Sequence, residues 1–436
     1  MFEKLKKIWS IRPLRMSIGY VILMLVLFRL LAHVPVPGID ASILENILSG
    51  NKFLGLLNIF SGGTLESFSV VALGVAPYIT SSIIFQLLTM VVPSLHRMQK
   101  EGGEEGRRRL NQVTRWVAVP LAAVQAYGFI ALISQGGLGS LGGAAGAAAA
   151  NGLIVSGFDL FMAILVMTAG SIFLMWIGEL ISTKGVGNGL SIIILAGIVA
   201  SFPRYFQQAI LTFDQSQIVN LAVYAIMAIV MIVVVVLINE AVRNVPVNYA
   251  RHHAAGRLSS GVATKLPLKV AMAGVIPIIF AISIVLFPTM IAQFLANART
   301  PWLVDLANQI TIWFSNNWIY GILYFVLVFG FTYFYTGVIF RPEEMAENLQ
   351  KQGAFIPGVR PGKPTELYLA STMNKILLIG ATFLAVIAVL PTVVQPITGS
   401  QNLVIGGTSL LIIVSVIVDM VKQIEAQMTS YAYEQI

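Results

Sequence analysis

No cysteine occurs in the 436 residues, which excludes disulfides, thiolate catalysis and Cys-ligated metal. Charge is nearly as scarce. Asp, Glu, Lys and Arg make up 11% of the chain, against about 25% in a soluble domain, while hydrophobic residues reach 57% and mean hydropathy is +0.84. That balance describes an integral membrane protein. Catalytic signatures are missing too: there is no Gly-x-x-x-x-Gly-Lys-Ser/Thr phosphate loop, no His-Glu-x-x-His and no Gly-x-Ser-x-Gly. The stretch Lys184-Gly185-Val186-Gly187-Asn188-Gly189 superficially suggests a phosphate cradle, but it sits in a short turn between apolar runs with no Lys-Ser/Thr after it. It reads as a tight helical hairpin. His252-His253 has no cysteine or carboxylate nearby at ligand spacing, so no metal, no cofactor and no enzymatic activity are expected.

What the chain has in quantity is apolar runs. Ten are found, at 18–34, 68–92, 116–133, 160–181, 190–202, 218–238, 270–295, 319–340, 376–394 and 403–421. Most reach the roughly 20 residues that a helix needs to cross a bilayer. The fifth, ended by Pro203, is too short unless 207–213 or Gly187-Asn188-Gly189 completes it. Counting it as a span gives a consistent charge map. With a cytoplasmic N-terminus, both tails and the even-numbered loops hold all of the 27 Lys and Arg except Lys52, Arg204, Arg299 and the intramembrane Arg29. This bias predicts that both termini are cytoplasmic. The net charge of +8 then follows from topology and contact with anionic lipids, without nucleic acid as a partner. The first run lacks a small-x-small cleavage site and ends in Pro35-Val36-Pro37-Gly38, so it reads as a retained helix. Ahead of it, Phe2, Leu5, Ile8 and Trp9 recur at helical spacing, as in a helix lying in the headgroup layer.

Five runs precede the loop near Asp214 and five follow, which divides the chain into halves at 1–213 and 214–436. The second run of each half carries the same interruption, Gly74-Val75-x-Pro77 and Gly274-Val275-x-Pro277. Paired breaks in corresponding spans point to an inverted repeat with its working site between them. Ion-coupled carriers need titratable groups at mid-depth, yet Asp159, Glu179, Glu240 and Asp419 all fall toward span ends. Arg29 lies deeper and is expected to be paired inside the bundle. Near the breaks the polar residues are uncharged: Thr80, Ser81, Ser82 and Gln86, with Asn188 and Ser191 in the fifth span. A gated passage is therefore favoured, and an inverted-repeat secondary solute transporter is the alternative. The branched residues Val75, Ile79, Ile83, Ile276, Ile278 and Ile279 either pack as ordinary core or form a constriction that excludes water by dewetting.

Outside the spans, 53–60 has one apolar face (Phe53, Leu56, Leu57, Phe60) and is followed by Gly62-Gly63. Too short to cross, it is either a re-entrant segment buried in protein or an interfacial anchor. The Gly/Ala-rich 136–152 reads as a spacer. Loops 94–115, 241–269 and 341–375 are charged and long enough to form a cytoplasmic docking surface.

Several stretches together resemble the SecY family over about 18–422. They include Phe28-Arg29, Val34-Pro35-Val36-Pro37-Gly38-Ile39-Asp40, Asn58-Ile59-Phe60-Ser61-Gly62-Gly63, Pro77-Tyr78-Ile79, Gly187-Asn188-Gly189, Leu266-Pro267-Leu268-Lys269, the run from Gly353 to Gly362 and Gly406-Gly407-Thr408-Ser409. The resemblance implies an all-α membrane protein of ten transmembrane helices in two five-helix inverted halves, conducting unfolded polypeptides across the bacterial cytoplasmic membrane. It implies a pore ring at Val75, Ile79, Ile194, Ile279 and Ile412, slightly widened because isoleucine is more usual at position 75. It places a re-entrant plug helix at about 54–64, with Leu56, Leu57, Asn58, Ile59, Phe60, Ser61 and Gly62. A lateral gate between spans two and seven would use Pro77, Thr80, Ile83, Gln86, Pro277 and Ile278. Arg251, Arg257 and Arg360 would meet the motor ATPase SecA or the ribosome, with SecE and SecG as further subunits and signal sequences and preproteins as cargo. The Gly/Ala spacer and Gly102-Gly103 depart from common members, in places where loops vary.

Overall fold

The computed structural model describes residues 9–37, 61, 64, 68–135, 157–184, 186–211, 218–249, 263–272, 274–295, 300–398 and 402–434. Helix α1 (Arg12–Leu31) shows how a membrane helix differs from a soluble one. Pro13 lies in its first turn, where a missing N–H costs nothing. Leu14, Val21 and Phe28 recur every seven residues and are buried, whereas Ile22, Leu23, Val26 and Leu30 are exposed. A helix apolar on both faces needs protein on one and lipid on the other. All 6 tryptophans, Trp9, Trp116, Trp176, Trp302, Trp313 and Trp318, are likewise exposed, as in an interfacial aromatic belt.

The chain continues through α2 (Ala76–Val91), α3 (Pro93–Glu101), α4 (Gly103–Gln135), α5 (Gly157–Thr183), α6 (Gly189–Leu211) and α7 (Ile218–Glu240). Strands β1 (Val242–Tyr249) and β2 (Ala263–Lys269) follow, then α8 (Ile276–Leu295), α9 (Pro301–Ser315), α10 (Asn317–Ile339) and α11 (Pro342–Lys351). Strand β3 (Ala354–Phe355), α12 (Lys363–Thr398) and α13 (Asn402–Glu434) complete it. Every one of the ten apolar runs carries a helix, and the chain is a multi-pass membrane protein.

Several expectations change. The charged stretch 94–115 is no loop: α3 and the start of α4 occupy it, turning at Gly102 and Gly103. Gly103 has φ +54°, and a Cβ on Gly106 would lie 1.9 Å from the Met98 carbonyl oxygen, so glycine is required where the two helices cross. Pro203 does not end the fifth span; α6 runs through it to Leu211. Helix α9, between the seventh and eighth spans, has no counterpart among the predicted runs. Within 241–269, β1 and β2 pair antiparallel with β1 central in the sheet, Val242 opposite Lys269 and Asn248 opposite Ala263. A small sheet thus accompanies the helical body.

The paired breaks are helix starts rather than kinks. Residues 68–75, 270–272, 274 and 275 are non-helical, and α2 and α8 begin only at Ala76 and Ile276. Gly74 and Gly274 both have φ +58°, a left-handed conformation that strains any residue with a Cβ. The match extends further than the motif. Val70 N–H donates to the Val34 carbonyl after α1, and Val270 N–H to the Ala241 carbonyl after α7, each at 2.9 Å. The Val70 carbonyl presses on Gly170 of α5, and that of Val270 on Gly380 of α12; a Cβ on those glycines would come within 2.1 and 2.8 Å. The two halves share one construction.

Candidate functional site

Val75 precedes the first turn of α2, and its carbonyl accepts the Ile79 N–H at 3.1 Å; the Val275 carbonyl accepts from Ile279 at 3.2 Å. The matched turns therefore put Ile79 and Ile279 at the same depth in their own helices. Ile194 comes from α6 and Ile412 from α13. All five predicted ring residues are at most 6% exposed, and all belong to the main hydrophobic core of the bundle, which also holds Ile83, Val275, Ile278 and aromatic residues such as Phe280 and Tyr324. Branched side chains drawn from four helices, with no ionisable group among them, provide the surface that a dewetting seal needs.

Helices α2 and α8, which carry the gate candidates, touch each other. Pro77, Pro277 and Ile278 are buried, and Thr80 and Gln86 are half-buried. Thr80 Oγ1 donates to its own helix at the Ala76 carbonyl, 3.0 Å away. Gln86 Nε2 reaches Ser82 Oγ at 3.3 Å. Ser81, grouped in sequence with these, does different work: its Oγ donates to the Thr114 carbonyl at 2.7 Å and ties α2 to α4. Asn188 also has a local task, since its Oδ1 accepts from Leu190 N–H at 3.1 Å and caps α6.

Of the predicted plug, Leu56, Leu57, Asn58, Ile59, Phe60 and Gly62 lie outside the described residues; Ser61 is buried. Its trailing end is tied down by Thr64, which is wholly buried. Thr64 Oγ1 lies 2.8 Å from the Ser61 carbonyl and 2.9 Å from the Val71 carbonyl, sharing one proton between them. Thr64→Val keeps the shape and removes that donor. Expected is a loss of about 1–2 kcal/mol and a higher resting ion leak in vesicles; an unchanged leak would detach this contact from sealing.

Two of the four span-end carboxylates, Glu179 and Glu240, are paired with basic residues. Glu179 Oε1 meets Arg115 Nε at 2.6 Å, joining α5 to α4, and Glu240 Oε1 meets Lys422 Nζ at 3.0 Å, joining α7 to α13. Neither is arranged as a mid-depth proton carrier.

The two later loops, far apart in sequence, form one surface. Strand β3 pairs with β1, Tyr249 opposite Ala354 and Asn248 opposite Phe355. Beneath them Val245, Val247, Leu268, Leu349, Ile356 and Leu369 share a second buried cluster. Gly353, Gly358 and Gly362 all have positive φ, 66°, 84° and 95°, which folds the segment back and leaves Arg360 exposed. Thr365 Oγ1 fastens the turn to the Arg360 carbonyl at 2.9 Å. Arg251 and Arg257 lie outside the described residues.

Sequence reasoning missed Gly170, Gly380 and Ser171. Their only sequence signal is a small residue inside an apolar run, which many spans share.

Two sets of apolar helices, each with the same Gly-Val-x-Pro turn ahead of its second span, define a membrane protein of inverted-repeat architecture. The SecY family model matches residues 69–421. Protein translocase subunit SecY of Corynebacterium glutamicum is 39% identical over 435 residues, covering 97% of this chain and 96% of the relative. The Bacillus subtilis subunit of the same name is 40% identical, covering 99% of each. The chain belongs to the SecY family. Among solved structures, a SecY channel described for a plug domain that stabilises its closed state aligns with TM-score 0.62 at 19% identity, covering 94% of this chain and 91% of that one. Sec61 in a canine ribosome–channel complex aligns with TM-score 0.58 at 16% identity over the same shares. These likenesses establish the fold.

Proposed function

We propose that this chain is the central pore-forming subunit of a bacterial Sec translocase, passing unfolded secretory polypeptides across the cytoplasmic membrane and releasing apolar segments sideways between α2 and α8. The observation that supports this reading is the burial of Val75, Ile79, Ile194, Ile279 and Ile412, from both halves, in one hydrophobic core without Asp, Glu, Lys, Arg or His. A carrier would need ionisable groups there. The halves divide near 213/214, and both termini face the cytoplasm by the charge bias. With no nucleotide motif, the driving force comes from outside the chain: SecA, chain elongation or the membrane potential. SecE and SecG are the expected membrane partners, and the SecA or ribosome docking face is the β1–β2–β3 sheet with Arg251, Arg257 and Arg360. A signal sequence, itself an apolar helix, would partition between α2 and α8 and favour their separated state by differential binding.

Single cysteines at Ile79 and Ile279 test the reading directly, because the chain has none of its own. Both are expected to crosslink to a secretory chain stalled in transit; their absence with engaged substrate would sink the peptide pore. Saturable uptake of a small solute by vesicles holding this chain would instead favour a carrier. Arg360→Glu should weaken motor-driven transport while membrane insertion of the chain stays normal. Transport at the wild-type rate would remove Arg360 from the docking face.

A further inference from the structure

The two Gly-Val-x-Pro turns share a backbone but not an anchor. At the first, Ser171 of α5 donates its Oγ proton to the Gly74 carbonyl at 2.9 Å, and Ser171 is 4% exposed. This hydroxyl stands one residue after the contact glycine Gly170. One residue after the matching Gly380 stands Ala381, fully buried and without a hydroxyl. What faces the second turn is Asp419 of α13: a Cβ on Gly274 would lie 3.1 Å from Asp419 Oδ2.

The surroundings differ as well. Asp419, Gly274, Val275, Ile276, Lys269 and Lys422 line a cavity of about 220 Å³ at the start of α8. Lys422 is held in place, its Nζ 2.7 Å from the Asn239 carbonyl and 3.0 Å from Glu240 Oε1. A carboxylate at the N-terminal end of α8 is attracted by the orphan amides of its first turn. Lys269 and Lys422 also attract this carboxylate, so a charge–dipole attraction shared with them beside an open cavity yields more readily than the buried Ser171 hydrogen bond in dense packing.

We propose that Asp419 is the positioning residue that holds the start of α8, and that the Gly274 turn, not the Gly74 turn, is the one that releases when α2 and α8 separate. This rests on the gate reading above, and the test separates the two. The full chain with its membrane partners is placed in lipid vesicles, carrying spin labels on cysteines introduced at Ile84 of α2 and Ile291 of α8, both exposed. The α2–α8 distance distribution is measured with and without a synthetic signal peptide.

In the wild type the peptide should increase the long-distance population. Asp419→Asn should raise that population without peptide by about fivefold, the factor that corresponds to losing one favourable helix-terminus interaction. Asp419→Glu, which keeps the charge, should stay near wild type. Ala381→Ser supplies the second half with the hydroxyl that Ser171 gives the first, and in the Asp419→Asn background it should restore the short distance. Asp419→Asn indistinguishable from wild type, or Ser171→Ala opening the pair as far as Asp419→Asn does, overturns the proposal while leaving the gate intact. A wild-type distance that ignores the peptide overturns the gate and the Asp419 role together.

Discussion

Gly189→Ala is expected to prevent the folded chain from accumulating in the membrane. Helices α5 and α6 are joined by a turn of only a few residues, so they must touch at once after it. A Cβ on Gly189 would lie 1.8 Å from the Gly178 carbonyl oxygen and 2.9 Å from Ile181 Cβ, and neither can swing aside as a flexible side chain could. The same turn is fixed from both sides: Gly189 N–H donates to Ser182 Oγ at 2.9 Å, and Asn188 caps the helix. Relief requires separating two helices along their length, at a cost of about 3 kcal/mol or more. That is a large fraction of the roughly 5–15 kcal/mol that stabilises a typical domain. Gly19→Ala is the control, because a Cβ there meets nothing within 4 Å. Protease resistance and the midpoint of heat-induced aggregation in detergent would read the difference. A Gly189→Ala protein as robust as Gly19→Ala would show that the hairpin contact is looser than described.

Replacing Ile79 and Ile279 together by asparagine should turn a sealed membrane leaky. Each isoleucine is a buried branched side chain in the shared cluster, 6% and 5% exposed. Burying such a side chain is worth about 1.5–3 kcal/mol, and that same preference for apolar surroundings keeps water out of a narrow passage. Asparagine reverses it by offering donors and acceptors that water satisfies. The barrier to wetting then falls by about 3 kcal/mol or more for the pair, so resting ion conductance should rise by at least about a hundredfold. Single-channel recording in planar bilayers gives the number. Leucine at the same two positions keeps the apolar surface and should stay sealed. Leak equal to wild type in the asparagine pair would mean that the cluster packs the bundle without closing the path.

Much of the membrane architecture is legible in the chain because lipid allows few solutions. Residues that must face acyl chains are apolar whatever they touch inside, so long runs such as 160–181 announce α5 without any knowledge of its neighbours. Composition says less wherever protein replaces lipid or water. The charged stretch 94–115 looks like a loop, yet glycines at 102, 103 and 106 let α3 fold back onto α4. Strands β1 and β2 carry Pro246 and Pro267, which argue against strands locally. They form because Val245, Val247 and Leu268 find a common core with Leu349 and Ile356 from a distant segment. Val75, Ile79 and Ile279 stand out as branched residues near a break, but helical periodicity does not say that Ile194 and Ile412 are buried in the same core.

The sequence by itself determined the class, the number of apolar spans, the charge bias and the duplicated Gly-Val-x-Pro, since each follows from solvent preference or backbone geometry at single positions. It also placed glycine at 74 and 274, where φ +58° demands it. Only the tertiary structure decided what those turns rest on: Ser171 under one, Asp419 beside the other, with Val70 and Val270 pressed against helix glycines. The reason is physical. A turn's shape is a local property of its residues, but its stiffness belongs to the side chains that other helices bring to it.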